Sequence, residues 1–125
     1  MKVKTLLLAV AIIFGISQTS SAQTTKSAEK NVKVTFIELG SVKCIPCQKM
    51  EVVLESLREK YPKDVKVIFH DVWTEAGKPY AKQYGVKSIP TQVFLDADGK
   101  EYYRHVGFFP EEELVKILKQ KRVKE

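Results

Sequence analysis

The chain has few cysteines and no long hydrophobic run, and each shortage excludes a class of protein. Two cysteines in 125 residues can close only one bridge, which excludes a small scaffold held by several disulfides. The apolar run at residues 6–16 is shorter than the about 20 residues of a spanning helix, which excludes a multispanning membrane protein. The length allows one domain, and a 44% hydrophobic fraction excludes disorder along the whole chain.

The first 22 residues have the features of a secretory signal peptide in the expected order. Lys2 and Lys4 precede the apolar run, and small residues at positions 20–22 come directly before Gln23. We therefore predict cleavage after Ala22 and export to the periplasm or the cell exterior, with an uncleaved membrane anchor as the alternative. No cysteine stands at the cleavage site, which favours a soluble protein over a lipid-anchored one.

The chain that remains after cleavage is small and weakly basic. Two of the 21 basic residues leave with the signal peptide, so residues 23–125 carry a net charge of +4. This small excess calls for no nucleic-acid partner. Residues 23–30 are rich in Thr, Ser and Lys and are predicted to be a flexible lead-in. Residues 31–125 are predicted to form one domain, which we expect to be a monomer.

Strands and helices are predicted to alternate along this domain. Runs of β-branched and aromatic residues predict strands, whereas apolar residues three and four apart predict helices. The predicted strands are residues 31–39, 65–72, 91–95 and 101–106, and the predicted helices are residues 46–60, residues 79–84 and a last helix that begins at Pro110. The order β-α-β-α-β-β-α predicts an α/β fold in which helices flank both faces of a central mixed β-sheet.

The connections predict how the strands pair. A helix joins the first two strands, so these should be parallel. The turn at residues 96–100 joins the last two strands as an antiparallel hairpin. The second strand is almost continuously apolar, which predicts burial on both faces of the sheet.

Both cysteines lie in one motif, Cys44-Ile45-Pro46-Cys47, between a strand and a helix. At a helix N-terminus, free N–H groups and the helix dipole lower the pKa of a thiol. Cys44 is therefore the predicted nucleophile, and Cys47, one turn further on, the predicted resolving thiol. The expected chemistry is attack on a disulfide, formation of a mixed disulfide, and release by the second thiol.

Four other interpretations of the cysteine pair are open at this point. A structural disulfide across so short a loop would constrain the unfolded chain little. A zinc site needs four ligands, and only His70 and His105, which are read as structural strand residues, could complete it. Two thiolates could hold Cu(I), which would make the chain a non-catalytic copper-binding module. The cysteines could also be two ordinary reduced core residues, but the compartment of an exported protein tends to oxidise such a pair.

The motif and its surroundings resemble the thioredoxin superfamily. The resemblance rests on the Cys-x-Pro-Cys motif, on Ile89-Pro90-Thr91, on Gly107 after the last strand and on the order of elements. It implies a thioredoxin-like fold and thiol–disulfide oxidoreductase activity. It also implies that the bond before Pro90 is cis and faces the dithiol, and that the Ile89 carbonyl and Thr91 line the substrate-binding surface.

Glu38 stands six residues before Cys44 on an otherwise apolar strand. The family commonly has a buried acid at this offset, which transfers a proton to and from the resolving cysteine. Burial beside a thiol should raise the pKa of such a carboxyl and suit it to acid–base work. Trp73, the only tryptophan, follows the second strand and is read either as a client-facing platform or as ordinary packing.

The residues beside the cysteines are expected to tune the redox potential. Lys43 replaces the family's usual tryptophan and adds a positive charge beside Cys44. Ile45 and Pro46 separate the cysteines, and the resemblance associates a proline before the second cysteine with reducing members. We therefore predict a reductant, with a periplasmic thiol oxidant as the alternative.

The resemblance also implies the partners of this chemistry. Clients would be proteins with disulfides, and a membrane protein would supply electrons across the bilayer. No cofactor or metal is expected besides the redox-active disulfide itself.

Overall fold

The computed structural model describes residues 32–125, and the predicted signal peptide and lead-in lie outside this range. The described residues form four strands and three helices in the predicted order. The strands are β1 (Val34–Gly40), β2 (Val65–Asp71), β3 (Thr91–Leu95) and β4 (Glu101–Val106), and the helices are α1 (Ile45–Lys60), α2 (Lys78–Gln83) and α3 (Glu111–Lys119). From Val32 onwards, no helix is long and apolar enough to cross a membrane.

The strands form one mixed sheet in the order β2-β1-β3-β4. β2 is parallel to β1, and β4 is antiparallel to β3, which confirms the two predicted pairings. β3 also pairs antiparallel with β1, a pairing that was not predicted. The register places Glu38 of β1 opposite Gln92 of β3, and Gln92 opposite His105 of β4. This row of polar residues crosses three adjacent strands.

The first strand differs from its prediction at both ends. It begins at Val34, because the N–H groups of Lys33 and Val34 both donate to the Asp64 carbonyl in the loop before β2. It continues through Gly40, which pairs with Asp71 and accepts a hydrogen bond from the N–H of Val72. Gly40 therefore belongs to the ladder and does not interrupt it.

The prediction that the second strand is buried on both faces is wrong. β2 is an edge strand, it ends at Asp71, and only Val65 is fully buried. Its apolar residues are half-buried against opposite faces, since Val67 and Phe69 pack on one side of the sheet and Ile68 packs on the other. An edge strand that contributes to both layers has the same apolar sequence as a central one.

The sheet separates two hydrophobic clusters. The larger one fills the space between the sheet and helices α1 and α3, and it includes Phe36, Leu54 and Leu114. The smaller one lies on the opposite face, where Ile37 and Val93 meet α2. Successive strand residues point to opposite faces, so Glu38 shares the α1 side with Phe36. The fold thus directs a carboxyl group into the apolar layer beneath the helix that carries the cysteines.

Candidate active site

Cys44 and Cys47 are joined by a disulfide at the start of α1. Cys44 is the N-cap, with extended backbone angles of φ −92° and ψ 121°, and Pro46 lies in the first turn, where its missing N–H costs no helical hydrogen bond. Cys47 is inside the helix, and the two Cα atoms are 5.2 Å apart. The exposed fractions of the two residues, 7% and 5%, do not distinguish them, but their positions do. A thiolate on Cys44 would meet the positive end of a 16-residue helix.

Glu38 is completely buried next to this disulfide. Neither of its carboxyl oxygens has a hydrogen-bond partner among the described residues. Burial raises the pKa of Glu38 to about 8, the amide of Gln92 opposes that rise, and the charge of Glu51 adds to it. Gln92 is thus near enough to influence the carboxylate without making a regular hydrogen bond to it. A carboxyl with this pKa can take up and release a proton near neutral pH.

Gly40 lets the resolving cysteine approach the buried acid. A Cβ atom at Gly40 would lie 3.1 Å from Sγ of Cys47 and 3.5 Å from Oε1 of Glu38. The first of these distances is tighter than van der Waals contact, so a side chain at this position would push against the sulfur. The space beside the Cα atom of Gly40 is therefore bordered both by Sγ of Cys47 and by the carboxyl group of Glu38.

Asp71 organises the loop that leads into the cysteine motif. Its Oδ2 accepts a hydrogen bond from the N–H of Val42, and its Oδ1 accepts one from the N–H of Trp73. Burial opposes ionisation of Asp71, yet these N–H groups and the Ser41 side chain together hold the pKa of Asp71 below its usual value. The positive charge of Lys43, which is exposed, acts in the same direction. Lys43 therefore stabilises the carboxylate of Asp71 in this loop, in addition to its position next to Cys44.

A small cavity reaches Cys47 from the side of α1. Its volume is about 310 Å³, and it is lined by Ser41, Val42, Cys47, Gln48, Glu51 and Phe69. Glu51 belongs both to this lining and to the charges that act on Glu38.

Exposed apolar side chains lie on the segments around the disulfide. Val42, Ile45 and Trp73 are 63%, 66% and 57% exposed. Pro46 is exposed as well. Of the two interpretations of Trp73, its exposure favours the client-facing platform over packing.

The predicted substrate-binding segment has a cis bond between Ile89 and Pro90. The Pro90 carbonyl accepts a hydrogen bond from the N–H of Gly107. Ile89 is half-buried and packs against the smaller hydrophobic cluster. Thr91 is 1% exposed and its hydroxyl donates to the Ser88 carbonyl, so its side chain does not form part of a binding surface.

Between Val32 and Glu125, no group of three or more His, Cys, Asp or Glu side chains is arranged to hold a metal ion. His70 stacks on Tyr80 with ring centroids 3.5 Å apart, and His105 stacks on Phe109 at 4.0 Å. The histidines therefore lie in aromatic contacts.

Two residues of the site, Gly40 and Gln92, were missed by the sequence reasoning. Gln92 is the one large polar residue in the strand Thr91–Leu95, just as Glu38 is in β1. Two such exceptions on neighbouring strands are a usable signal, but only the strand register shows that they are paired.

Three comparisons with known proteins agree with this geometry. Residues 21–122 match the thioredoxin-like domain family. A thioredoxin of Chlamydia muridarum is 40% identical over 75 residues, which cover 60% of this chain and 70% of that protein. A thioredoxin of Chlamydia caviae is 38% identical over 87 residues, which cover 70% and 81%.

Solved structures give the same picture. A mutant thioredoxin from Halobacterium salinarum has a TM-score of 0.64 and 28% sequence identity to this chain, and the match covers 76% of this chain and 80% of that one. Every helix and strand described above lies within residues 21–122.

Proposed function

Because the chain belongs to the thioredoxin-like family, with the family's α/β fold and a Cys-x-x-Cys disulfide, we propose that it is an exported reductant of protein disulfides. Its activity is thiol–disulfide exchange, for which the cysteine pair is the only redox group that the chemistry requires.

The proposed cycle begins with the reduced dithiol. The Cys44 thiolate attacks one sulfur of a client disulfide, which forms a mixed disulfide and releases the first client thiolate. Glu38, as a carboxylate, then accepts the proton of the Cys47 thiol. The Cys47 thiolate attacks Sγ of Cys44, which closes the Cys44–Cys47 disulfide and releases the second client thiolate. Two electrons pass from the protein to the client.

The observation that carries the reducing direction is the residue before the second cysteine. Pro46 has no N–H and no ionisable side chain, so it cannot stabilise a thiolate on Cys44, whereas a cationic residue there would. A less stabilised thiolate makes the dithiol a better electron donor.

The reduction potential of the purified protein tests this direction. Equilibration with dithiothreitol or glutathione should give a value near that of thioredoxin, about −270 mV. A value near that of the oxidant DsbA, about −120 mV, would contradict the proposal and make this protein a disulfide donor. A Pro46→His variant is the matched comparison, and its potential should be less negative than that of the wild type.

We propose that the exported protein receives electrons from a membrane reductase and passes them to client proteins as a monomer. Lys2, Lys4, the apolar run at residues 6–16 and the small residues before Gln23 support the export. When the full chain is expressed, N-terminal sequencing of the exported fraction should give Gln23 as the first residue. Recovery of uncleaved chain from the cytoplasm would contradict it.

A further inference from the structure

Three polar side chains form a row across the sheet on the face that α1 and α3 cover. Glu38, Gln92 and His105 occupy directly paired positions on β1, β3 and β4. Glu38 and Gln92 are both completely buried, and His105 is half-buried. Burying a polar side chain costs free energy unless it forms hydrogen bonds, so three such residues in the apolar layer need a physical explanation.

The hydrogen bonds of Gln92 fix the orientation of its amide. Its Nε2 donates to the Gly107 carbonyl at 3.1 Å, and its Oε1 lies 2.8 Å from Nδ1 of His105. A carbonyl oxygen can only accept, so the nitrogen of the amide must face Gly107. The oxygen of the amide then faces the imidazole, and Nδ1 of His105 must carry the hydrogen that it donates.

His105 is itself held in place. Its ring stacks on Phe109 with an interplanar angle of 14°. The N–H of Phe109 donates to Sδ of Met50, a buried residue of α1. Gly107, at φ +94°, makes the turn between the imidazole and Phe109, and few residues other than glycine adopt that angle.

We propose that His105 is a positioning residue for the buried carboxyl of Glu38 and that it acts through the side-chain amide of Gln92. The Nδ1–H of His105 keeps the amide nitrogen directed away from the imidazole. That nitrogen then donates to the Gly107 carbonyl and acts on the nearby carboxylate without a regular hydrogen bond to it. Without the Nδ1–H donor of His105, the amide of Gln92 could rotate by half a turn. Its oxygen would then face two acceptors, the Gly107 carbonyl and the Glu38 carboxylate. Carboxylate charge on Glu38 would be disfavoured.

Other groups also act on Glu38. From α1 it meets Cys47 and the charge of Glu51, and from β2 its paired residue is Phe69, which has no charge. Gln92 is the contact that favours the ionised form, and Glu51 opposes it. The amide of Gln92 is therefore the group through which His105, on β4, can change the pKa of Glu38. The importance of this effect for turnover rests on the proposed function, whereas the effect of His105 on the pKa of Glu38 does not.

The test measures the titration of Glu38 directly. Carbon NMR of the side-chain carboxyl in the oxidised protein gives its titration midpoint without any turnover. In His105→Phe, which keeps an aromatic ring against Phe109, and in Gln92→Leu, the midpoint should rise by roughly half a pH unit or more. His70→Phe is the matched control, because His70 stacks on Tyr80 at the other face of the sheet, and its midpoint should not move.

A further variant separates positioning from packing. His105→Asn retains a side-chain N–H donor and should return the midpoint towards the wild-type value. An unchanged midpoint in either His105→Phe or Gln92→Leu would overturn the proposal. If His105→Phe does not fold, a raised midpoint in Gln92→Leu together with a near-normal one in His105→Asn supports it, and any other pair of values overturns it. A failed prediction of the reduction potential would leave these midpoints unaffected.

Discussion

Replacing Cys44 with serine is expected to abolish the reduction of protein disulfides. Cys44 caps a long helix, so it is the sulfur whose thiolate the helix N-terminus stabilises. A hydroxyl at that position is not ionised at neutral pH and cannot attack a disulfide. Reduction of insulin with dithiothreitol as the electron source should therefore proceed at the rate measured without protein. Val52→Ser, a change at an exposed position on the same helix, should retain full activity.

The companion variant Cys47→Ser distinguishes the roles of the two sulfurs. It keeps the nucleophile but lacks the thiol that resolves the mixed disulfide, so a client should remain attached through Cys44. Non-reducing electrophoresis and mass spectrometry would detect the adduct. If Cys44→Ser remained active, or if it trapped clients and Cys47→Ser did not, the two roles would have to be exchanged.

The second large effect is on stability, and it depends on pH. Unfolded Glu38 titrates near 4.5, whereas in the folded protein burial raises its pKa to about 8. Below pH 4.5 the carboxyl is protonated in both states and contributes no difference. As the pH rises towards 8, the unfolded state loses its proton while the folded state keeps it, so the free energy of unfolding falls. The total loss from this one group is on the order of 3 to 5 kcal/mol.

Glu38→Gln should remove this dependence. Its oxidised form should be more stable than the wild type at pH 8 by several kcal/mol and close to it at pH 4, because an amide does not titrate. Denaturant unfolding at several pH values gives the comparison. Glu59→Gln, at an exposed carboxyl on α1, should follow the wild-type curve. Parallel curves for wild type and Glu38→Gln would show that the acid is not held protonated.

Much of the fold could be predicted because local patterns determine it. The hairpin between β3 and β4 was predicted to the residue from a turn that is rich in Asp and Gly. The position of β2 could not be predicted, because an edge strand that packs on both layers has the same composition as a central one. The first strand was predicted in the right place, but its start was set three residues too early, because the backbone N–H groups of Lys33 and Val34 bond to Asp64, far along the chain.

The chemistry of the site was predictable where one short motif contains it. The two cysteines and Glu38 stand out by type and spacing. The contributions of Gly40 and Gln92 depend on distances across the sheet, and no local pattern encodes them. His105, read as structural from the sequence, is linked to the acid only through a register that the folded sheet establishes.

The division of the interior by the sheet has a consequence for how such a protein can change. The redox pair and its acid share one layer with α1 and α3, whereas α2 packs against the other layer through Ile37 and Val93. Substitutions in separate clusters that share no partners tend to add independently. Conservative substitutions of side chains beneath α2 are therefore expected to change thermal stability while the pKa of Glu38 stays near its wild-type value.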